Sequence, residues 1–225
     1  MNKSPLSIAH CPLFIPAMDL VLIRHGQSQW NFDQTGGEDA PLTALGREQA
    51  RRAGIYCKAQ LHLCALYAST YQRARNTAEI INSYVNLEQI TLIDDLREFT
   101  EDYSPQMPHF DSPIAALRLP EPIRPAYISD YYITFQARVI RALEELLLAH
   151  QDLYETDAQI GIVSHGGVMG TIIRTLAGSH HFSLNTENTG IHILRWQFQR
   201  WHLIAINRVE HLECDRWQHE PGKDA

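Results

Sequence analysis

Two histidines follow short apolar runs in this 225-residue chain. Leu20-Val21-Leu22-Ile23 leads into Arg24-His25-Gly26, and Ile160 to Val163 leads into Ser164-His165-Gly166-Gly167. Each run reads as a buried strand broken by polar residues and glycine. An Arg-His pair at the end of a buried strand is costly to desolvate unless something anionic meets it there. The carboxyl ends of strands in open α/β sheets are also where ligand crevices form. Glycine behind each histidine marks a place where backbone must come close to something. His25 is thus placed for chemistry rather than for packing, and Arg24 points to an anion.

Two more residues join them. Leu63 to Ser69 is a second buried strand, and Arg73 falls in the first turns of the helix that leaves it, within reach of the crevice. Glu98 follows a third strand, Ile90 to Ile93, in Asp95-Leu96-Arg97-Glu98. Alone, an arginine on a helix or a glutamate in a loop is usually a solvated side chain. Arg75, two residues on from Arg73, reads as solvent-facing, and Arg51 and Arg52 read as the polar face of the helix before it.

Stretches around these residues carry a family resemblance. Leu22 to Asn31 (Leu-Ile-Arg-His-Gly-Gln-Ser-Gln-Trp-Asn) resembles the signature of the histidine phosphatase superfamily, the group that includes cofactor-dependent phosphoglycerate mutases. Asp39 to Ala50 resembles the family's D-x-P-L-T-x-x-G-x-x-Q-A, and Ser69 to Ala78 its S-x-x-x-R-A-x-x-T-A. Glu98 matches the catalytic Glu, and Ser164-His165-Gly166-Gly167-Val168 the second histidine motif. The motifs come in the family's order over residues 19 to 207. The resemblance implies a phosphoglycerate mutase-like α/β three-layer sandwich. It also implies phosphoryl chemistry with catalytic His25, Glu98 and His165, and phosphate held by Arg24, Asn31, Arg73, His165 and Gly166.

That chemistry suits the residue types. Phosphate monoesters are very stable in water, and a histidine nucleophile can split their hydrolysis into two easier steps. Attack needs a neutral imidazole, which Arg24 and Arg73 favour by opposing further positive charge. Which ring nitrogen attacks depends on the hydrogen bond of the other. Planar guanidinium forks suit the equatorial oxygens, and arginines outnumber lysines sixteen to three. A protonated His165 would add a donor, as would the first turn of a helix opening after it. Glu98 is the candidate acid, its pKa expected to rise through desolvation, the phosphate itself, and the nearby Glu101 and Asp102.

The elements that must position these groups alternate: strand Leu20–Ile23, helix 43–61 with Thr43 as N-cap, strand Leu63–Ser69, helix 71–85, strand Ile90–Ile93, helix 130–150, strand Gln159–Ser164, helix 167–177. The alternation argues for a mostly parallel central sheet with helices on both faces. A hairpin, Gly190–Gln197 and Trp201–Asn207 around Phe198-Gln199-Arg200, closes it. One domain is expected over 1–225, with its core at about 19–207 and extensions at 1–17 and 209–225.

A net charge of −7 disfavours a nucleic-acid partner, so attraction for an anionic substrate must be local. No apolar stretch is long enough to span a membrane. Cysteines 11, 57, 64 and 214 show no paired spacing, which points to free thiols and the cytoplasm. His180, His181, His192, His202, His211 and His219 have no ligand spacing and read as surface or turn residues, so no metal and no cofactor are assigned.

Residues 99–128 hold six of the eleven prolines and read as a lid over the site. Related mutases carry a basic tract after the catalytic Glu, whereas this chain reads Glu98-Phe99-Thr100-Glu101-Asp102. A mutase must grip a second anionic group, for which Arg118 and Arg124 could only partly serve. The expectation is therefore a phosphomonoesterase acting through a phosphohistidine on a small phosphorylated metabolite. A phosphoglycerate mutase and a non-catalytic phospho-ligand binding protein are the alternatives. Tyr103, Met107, Phe110 and Tyr127 hint at an apolar or ring-bearing leaving group.

Overall fold

Strand β1 (Met18–Arg24) is the spine of the molecule. Successive side chains alternate between two cores: Leu20 and Leu22 enter one, Val21 and Ile23 the other, and all four are fully buried. A strand that is apolar on both faces needs cover on both. In the computed structural model, which describes residues 16–99, 130–154, 156–179 and 182–215, that cover is helical. After β1 come α1 (Gln29–Asp33), α2 (Ala44–Gln60), β2 (Leu63–Ser69), α3 (Gln72–Val85), β3 (Thr91–Ile93), α4 (Asp130–Ala149), β4 (Gln159–Ser164), α5 (Gly166–Ala177), β5 (Ile191–Gln197) and β6 (Arg200–Arg208).

The six strands lie in the order β3-β2-β4-β1-β5-β6. The first four are parallel where they pair, while β5 runs antiparallel to β1 and β6 antiparallel to β5. The sheet is thus mixed, with an antiparallel hairpin added to a parallel centre. On one face, α4 and α5 bury Tyr132, Phe135, Val139, Leu143, Leu146, Met169 and Ile172 against Leu20, Leu22 and Ile160. On the other, α2 and α3 bury Ala53, Cys57, Ala74, Ala78 and Ile81 against Val21, Ile23 and Val163. Truncating one such core aliphatic to alanine costs about 2–5 kcal/mol.

Local signals act as expected at several boundaries. Thr43 Oγ1 accepts the Gly46 N–H at 3.0 Å and starts α2. Phe198 and Gln199, with φ of 53° and 59°, form a two-residue turn whose twist suits a hairpin, so Arg200 belongs to β6 and not to the turn. Two differences stand out. The third strand is shorter, Thr91–Ile93, and lies at the sheet edge. Helix α1 was not anticipated; a capping box between Ser28 and Asn31 nucleates it within the first motif.

The packed chain also runs past the expected end at Asn207. Val209 and Leu212 are buried, in and beside a 3-10 helix at Glu210–Asp215. The proline-rich segment, its Arg118 and Arg124, its aromatic residues, and Glu101 and Asp102 lie outside the described residues. So do most of the two expected extensions, and His180, His181 and His219. His192 is not a surface residue: it is fully buried on β5. Among the described residues no helix is long and apolar enough to cross a membrane.

Candidate active site

The register of the central strands builds the site. Arg24 of β1 pairs with Ser164 of β4, so the next residues, His25 and His165, leave the sheet side by side. Their ring centroids are 5.1 Å apart, edge to face. The tight turn after His25 depends on glycine: a β-carbon on Gly26 would sit 2.3 Å from the Gly46 carbonyl oxygen, and one on Gly46 would sit 2.0 Å from that of Gln27. Two backbones meet there with no room for a side chain.

His25 is held on every side but one. Its N–H donates to the Ser164 carbonyl at 2.9 Å, and its own carbonyl accepts from Thr189 N–H at 3.2 Å and Asn188 Nδ2 at 3.1 Å. In the ring, Nδ1 lies 2.7 Å from the Gly26 carbonyl, which can only accept, so Nδ1 carries the proton. Nε2 is left with its lone pair, 3.3 Å from Arg73 Nε. Burial, then Arg24 and Arg73, hold the imidazole well below its usual pKa, and hence neutral.

Arg73 donates to that nitrogen, and Arg24 lines the same cleft. One Arg24 nitrogen donates to the Thr186 carbonyl, while its Nε is buried without a partner among the described residues. Arg73 is anchored by Nη1 to the Glu38 carbonyl at 2.6 Å and lies over the Tyr71 ring. An unpaired buried guanidinium N–H is costly, and a bound oxyanion would satisfy it. Asn31 lines the same cleft. Its Oδ1 accepts from the Ser28 main-chain N–H and hydroxyl and from Asn188 Nδ2. That fixes the amide orientation and leaves Nδ2 as the free donor.

His165 differs from expectation. It is fully buried, and burial followed by His25 and Arg73 pushes its pKa well down, which keeps the ring neutral rather than cationic. Nε2 sits 2.9 Å from Ser69 Oγ at the end of β2, and Nδ1 is buried with no partner among the described residues. Ser69 Oγ also accepts the Tyr71 N–H at 3.3 Å, leaving its own proton free to go to Nε2 and make Nδ1 the donor. Gly166 stands beside Arg24: a β-carbon there would lie 3.9 Å from Arg24 Nε.

In the first turn of α5 the Gly167 N–H donates to Glu98 Oε2 at 2.9 Å, so the anion it meets is a carboxylate of this chain. Glu98 Oε1 accepts from Phe99 N–H at 3.2 Å. Burial pushes the Glu98 carboxyl above its usual range, and these two N–H groups, then Arg73 and Arg24, pull the other way without cancelling it. Desolvation therefore raises this pKa, while Glu101 and Asp102, invoked from the sequence, lie outside the described residues.

The cleft has a volume of about 310 Å³ and is lined by Arg24, His25, Arg73 and Glu98 together with Trp30, Asn31, Gly37, Glu38 and Phe99. The structure thus brings together Arg24, His25, Arg73, Glu98 and Asn31 at one opening, with His165 packed against His25 and Gly166 against Arg24. The sequence reading missed Ser69, Gly167, Thr186 and Asn188 as supports. Ser69 had a signal, since it ends a strand at the same sheet edge. Thr186 and Asn188 had none, because a loop before an antiparallel strand carries no periodicity. Arg51 and Arg75 pair with Glu48 and Glu79 on helix surfaces, as read.

Residues 20–209 match the family described as the histidine phosphatase superfamily, branch 1. The chain is 28% identical over 201 residues to the uncharacterized phosphatase PhoE of Bacillus subtilis (strain 168), covering 85% of this chain and 95% of that one. It is likewise 28% identical over 204 residues to a probable phosphoglycerate mutase, GpmB, of Escherichia coli O1:K1 / APEC, covering 82% and 87%. The solved structure of Bacillus stearothermophilus YhfR superposes with a TM-score of 0.64 at 27% identity, over 87% of this chain and 99% of that one.

Proposed function

Since the chain belongs to the histidine phosphatase superfamily, we propose that it is a phosphomonoesterase acting through a phosphohistidine on His25. One observation carries the reading: His25 Nδ1 is committed to the Gly26 carbonyl, so the lone pair lies on Nε2, which accepts from Arg73 Nε in a cleft shared with Arg24 and Glu98. A nucleophile, two forked cations and a buried carboxyl around one opening are more than a binding site needs.

In the first step Nε2 attacks phosphorus in line and the bond from phosphorus to the ester oxygen breaks. Arg24, Arg73, Asn31 and His165 hold the three equatorial oxygens. The proton of Glu98 passes to the departing alkoxide. The imidazolium-like phosphohistidine is steadied by its Nδ1–H bond to Gly26. In the second step water attacks phosphorus, the N–P bond breaks, and the Glu98 carboxylate takes the proton of water. Phosphate leaves and both residues return to their starting forms.

The cleft lining favours hydrolysis over mutase chemistry. Glu38, its carboxylate bound by the Tyr71 hydroxyl, adds negative charge to it, and Trp30 and Phe99 are apolar. Among the described residues lining the cleft, Arg24 and Arg73 are the cations, and both face the phosphate in this reading. The reading takes the substrate to be a small phosphorylated metabolite with an uncharged or ring-bearing leaving group, turned over without nucleic acid or membrane. Free Cys57 and Cys64 suit the cytoplasm.

A panel of phosphorylated metabolites, followed by phosphate release and by phosphorus NMR with wild type and His25→Ala, tests this. Release that disappears in His25→Ala, with an acid-labile phosphoenzyme trapped in wild type, is the expected result. Isomerisation that outruns hydrolysis after bisphosphoglycerate priming would make the protein a mutase. Binding without turnover would make it a silent receptor.

A further inference from the structure

We propose that Arg138, on α4, is the positioning residue for the proton donor Glu98. The inference rests on the reading of Glu98 as the acid. Among the described residues, both bonds to the Glu98 carboxylate come from main-chain N–H groups, so its aim depends on how firmly that backbone is held. The Arg138 guanidinium supplies that hold. Nη1 donates to the Asp95 carbonyl at 2.7 Å and Nη2 to the Glu98 carbonyl at 3.2 Å, which staples the two ends of the Asp95–Glu98 segment to one planar group.

The staple is itself supported. The Arg138 guanidinium lies 4.6 Å from the centre of the Phe135 ring, one turn earlier on α4. Phe135 in turn meets the Phe99 ring edge-on at 5.3 Å, so residues on both sides of the Glu98 carbonyl touch the same helix face. One turn later, Arg141 Nη2 grips the Asp95 carboxylate at 2.6 Å. The i, i+3 spacing of Phe135, Arg138 and Arg141 puts all three on one stripe of α4.

Among the described residues Arg138 donates to two carbonyls, and its half-burial lowers its pKa while Asp95 and Glu98 pull it back up. Two carbonyls in one plane call for a fork, which lysine cannot supply. The charge also faces Glu98 from α4, as Arg24 and Arg73 face it from β1 and α3.

The test compares phenyl phosphate, a poor leaving group that needs the acid, with 4-nitrophenyl phosphate, a good one that does not. Enzymes are wild type, Arg138→Met, Arg138→Lys and Glu98→Gln, with thermal melts and orthovanadate inhibition as controls. General acid catalysis contributes about 10²–10⁴. Arg138→Met is expected to lose about tenfold more kcat on phenyl phosphate than on 4-nitrophenyl phosphate, with little change in KM or vanadate inhibition, and Arg138→Lys to recover part of it. Equal losses on the two esters, or none, overturn the proposal while a differential in Glu98→Gln leaves the acid reading standing. Absence of the differential in Glu98→Gln overturns both. If Arg138→Met does not fold, Arg138→Lys against wild type on the same pair decides in the same way.

Discussion

The main-chain N–H of Gly167 donates to Glu98 Oε2 at 2.9 Å, so the first turn of α5 holds a carboxylate. A helix N-terminus favours an anion wherever it meets one. Here it lowers a pKa that burial raises, and the two effects leave the carboxyl above its usual range yet still fixed in place. The contact needs glycine. A β-carbon at position 167 would begin 2.4 Å from Glu98 Oε1 and 2.2 Å from the Phe99 ring.

Gly167→Ala is therefore expected to push Glu98 out of line without unfolding the protein. Alanine is the better helix former by about 1 kcal/mol, which offsets part of the crowding. The melting temperature should move by only a few degrees, while kcat on a poor leaving group falls about 10–10²-fold. Steady-state kinetics beside a thermal melt measures both. A large loss of stability with unchanged kcat in the folded fraction would contradict the assignment.

The pH dependence of turnover follows from the two opposite shifts. His25 must be neutral, and its depressed pKa keeps it so well below pH 6.5. Glu98 must carry a proton in the first step, and its pKa is raised. Activity on poor leaving groups should thus hold in mild acid and fall as pH rises through the Glu98 pKa. In Glu98→Gln that alkaline limb should vanish. Ionisation of the substrate phosphate is common to both enzymes, so comparing their kcat profiles isolates Glu98.

Stability should fall in acid because of buried neutral histidines. His192 accepts the Asn207 N–H through Nδ1 at 3.2 Å and faces Thr186 Oγ1 through Nε2 at 3.1 Å. Burial lowers its pKa to about 4, and does the same for His211. Between pH 6.5 and about 4 the unfolded chain takes up protons that these folded rings refuse. Their contribution is complete above 6.5 and is lost as pH falls through that window. At about 1.4 kcal/mol per unit, His192 alone has a ceiling of roughly 3 kcal/mol. Glu98, with its raised pKa, acts in the opposite sense but is one group against four, since His25 and His165 shift as His192 does. Denaturant melts across this range should show a slope that flattens in His192→Gln.

The Gly26–Gly46 approach should tolerate nothing. In Gly46→Ala the new β-carbon would lie 2.0 Å from the Gln27 carbonyl oxygen, and backbone on both sides cannot step aside as a side chain would. Overpacking costs about 1–3 kcal/mol, occasionally more, and the upper end is expected. Chemical denaturation should show it, and His25 chemistry should fail in parallel because the same turn aims its ring.

Much of this was legible from residue order. The strand ends at Arg24-His25 and Ser164-His165 were marked by apolar runs stopping at charge and glycine, and Thr43 declared the start of α2. These are local effects: desolvation, capping and period-two burial act within a few residues. The mixed sheet was only half visible, since parallel strands buried on both faces read as apolar runs while the β5–β6 hairpin announced itself by its turn. His192 was misread for the same reason. A histidine inside an alternating strand looks exposed until a partner such as Thr186 is brought to it.

The sequence alone nominated the candidate groups: Arg24, His25 and His165 by strand ends that local physics defines, and Arg73 and Glu98 by their match to the family's motifs. Tertiary structure decided their states. The Gly26 carbonyl set the tautomer of His25, burial kept His165 neutral, and the Gly167 N–H of α5 went to Glu98. Protonation and tautomer depend on which dipoles and charges surround a ring or carboxyl in space, and those come from chain segments far away in sequence.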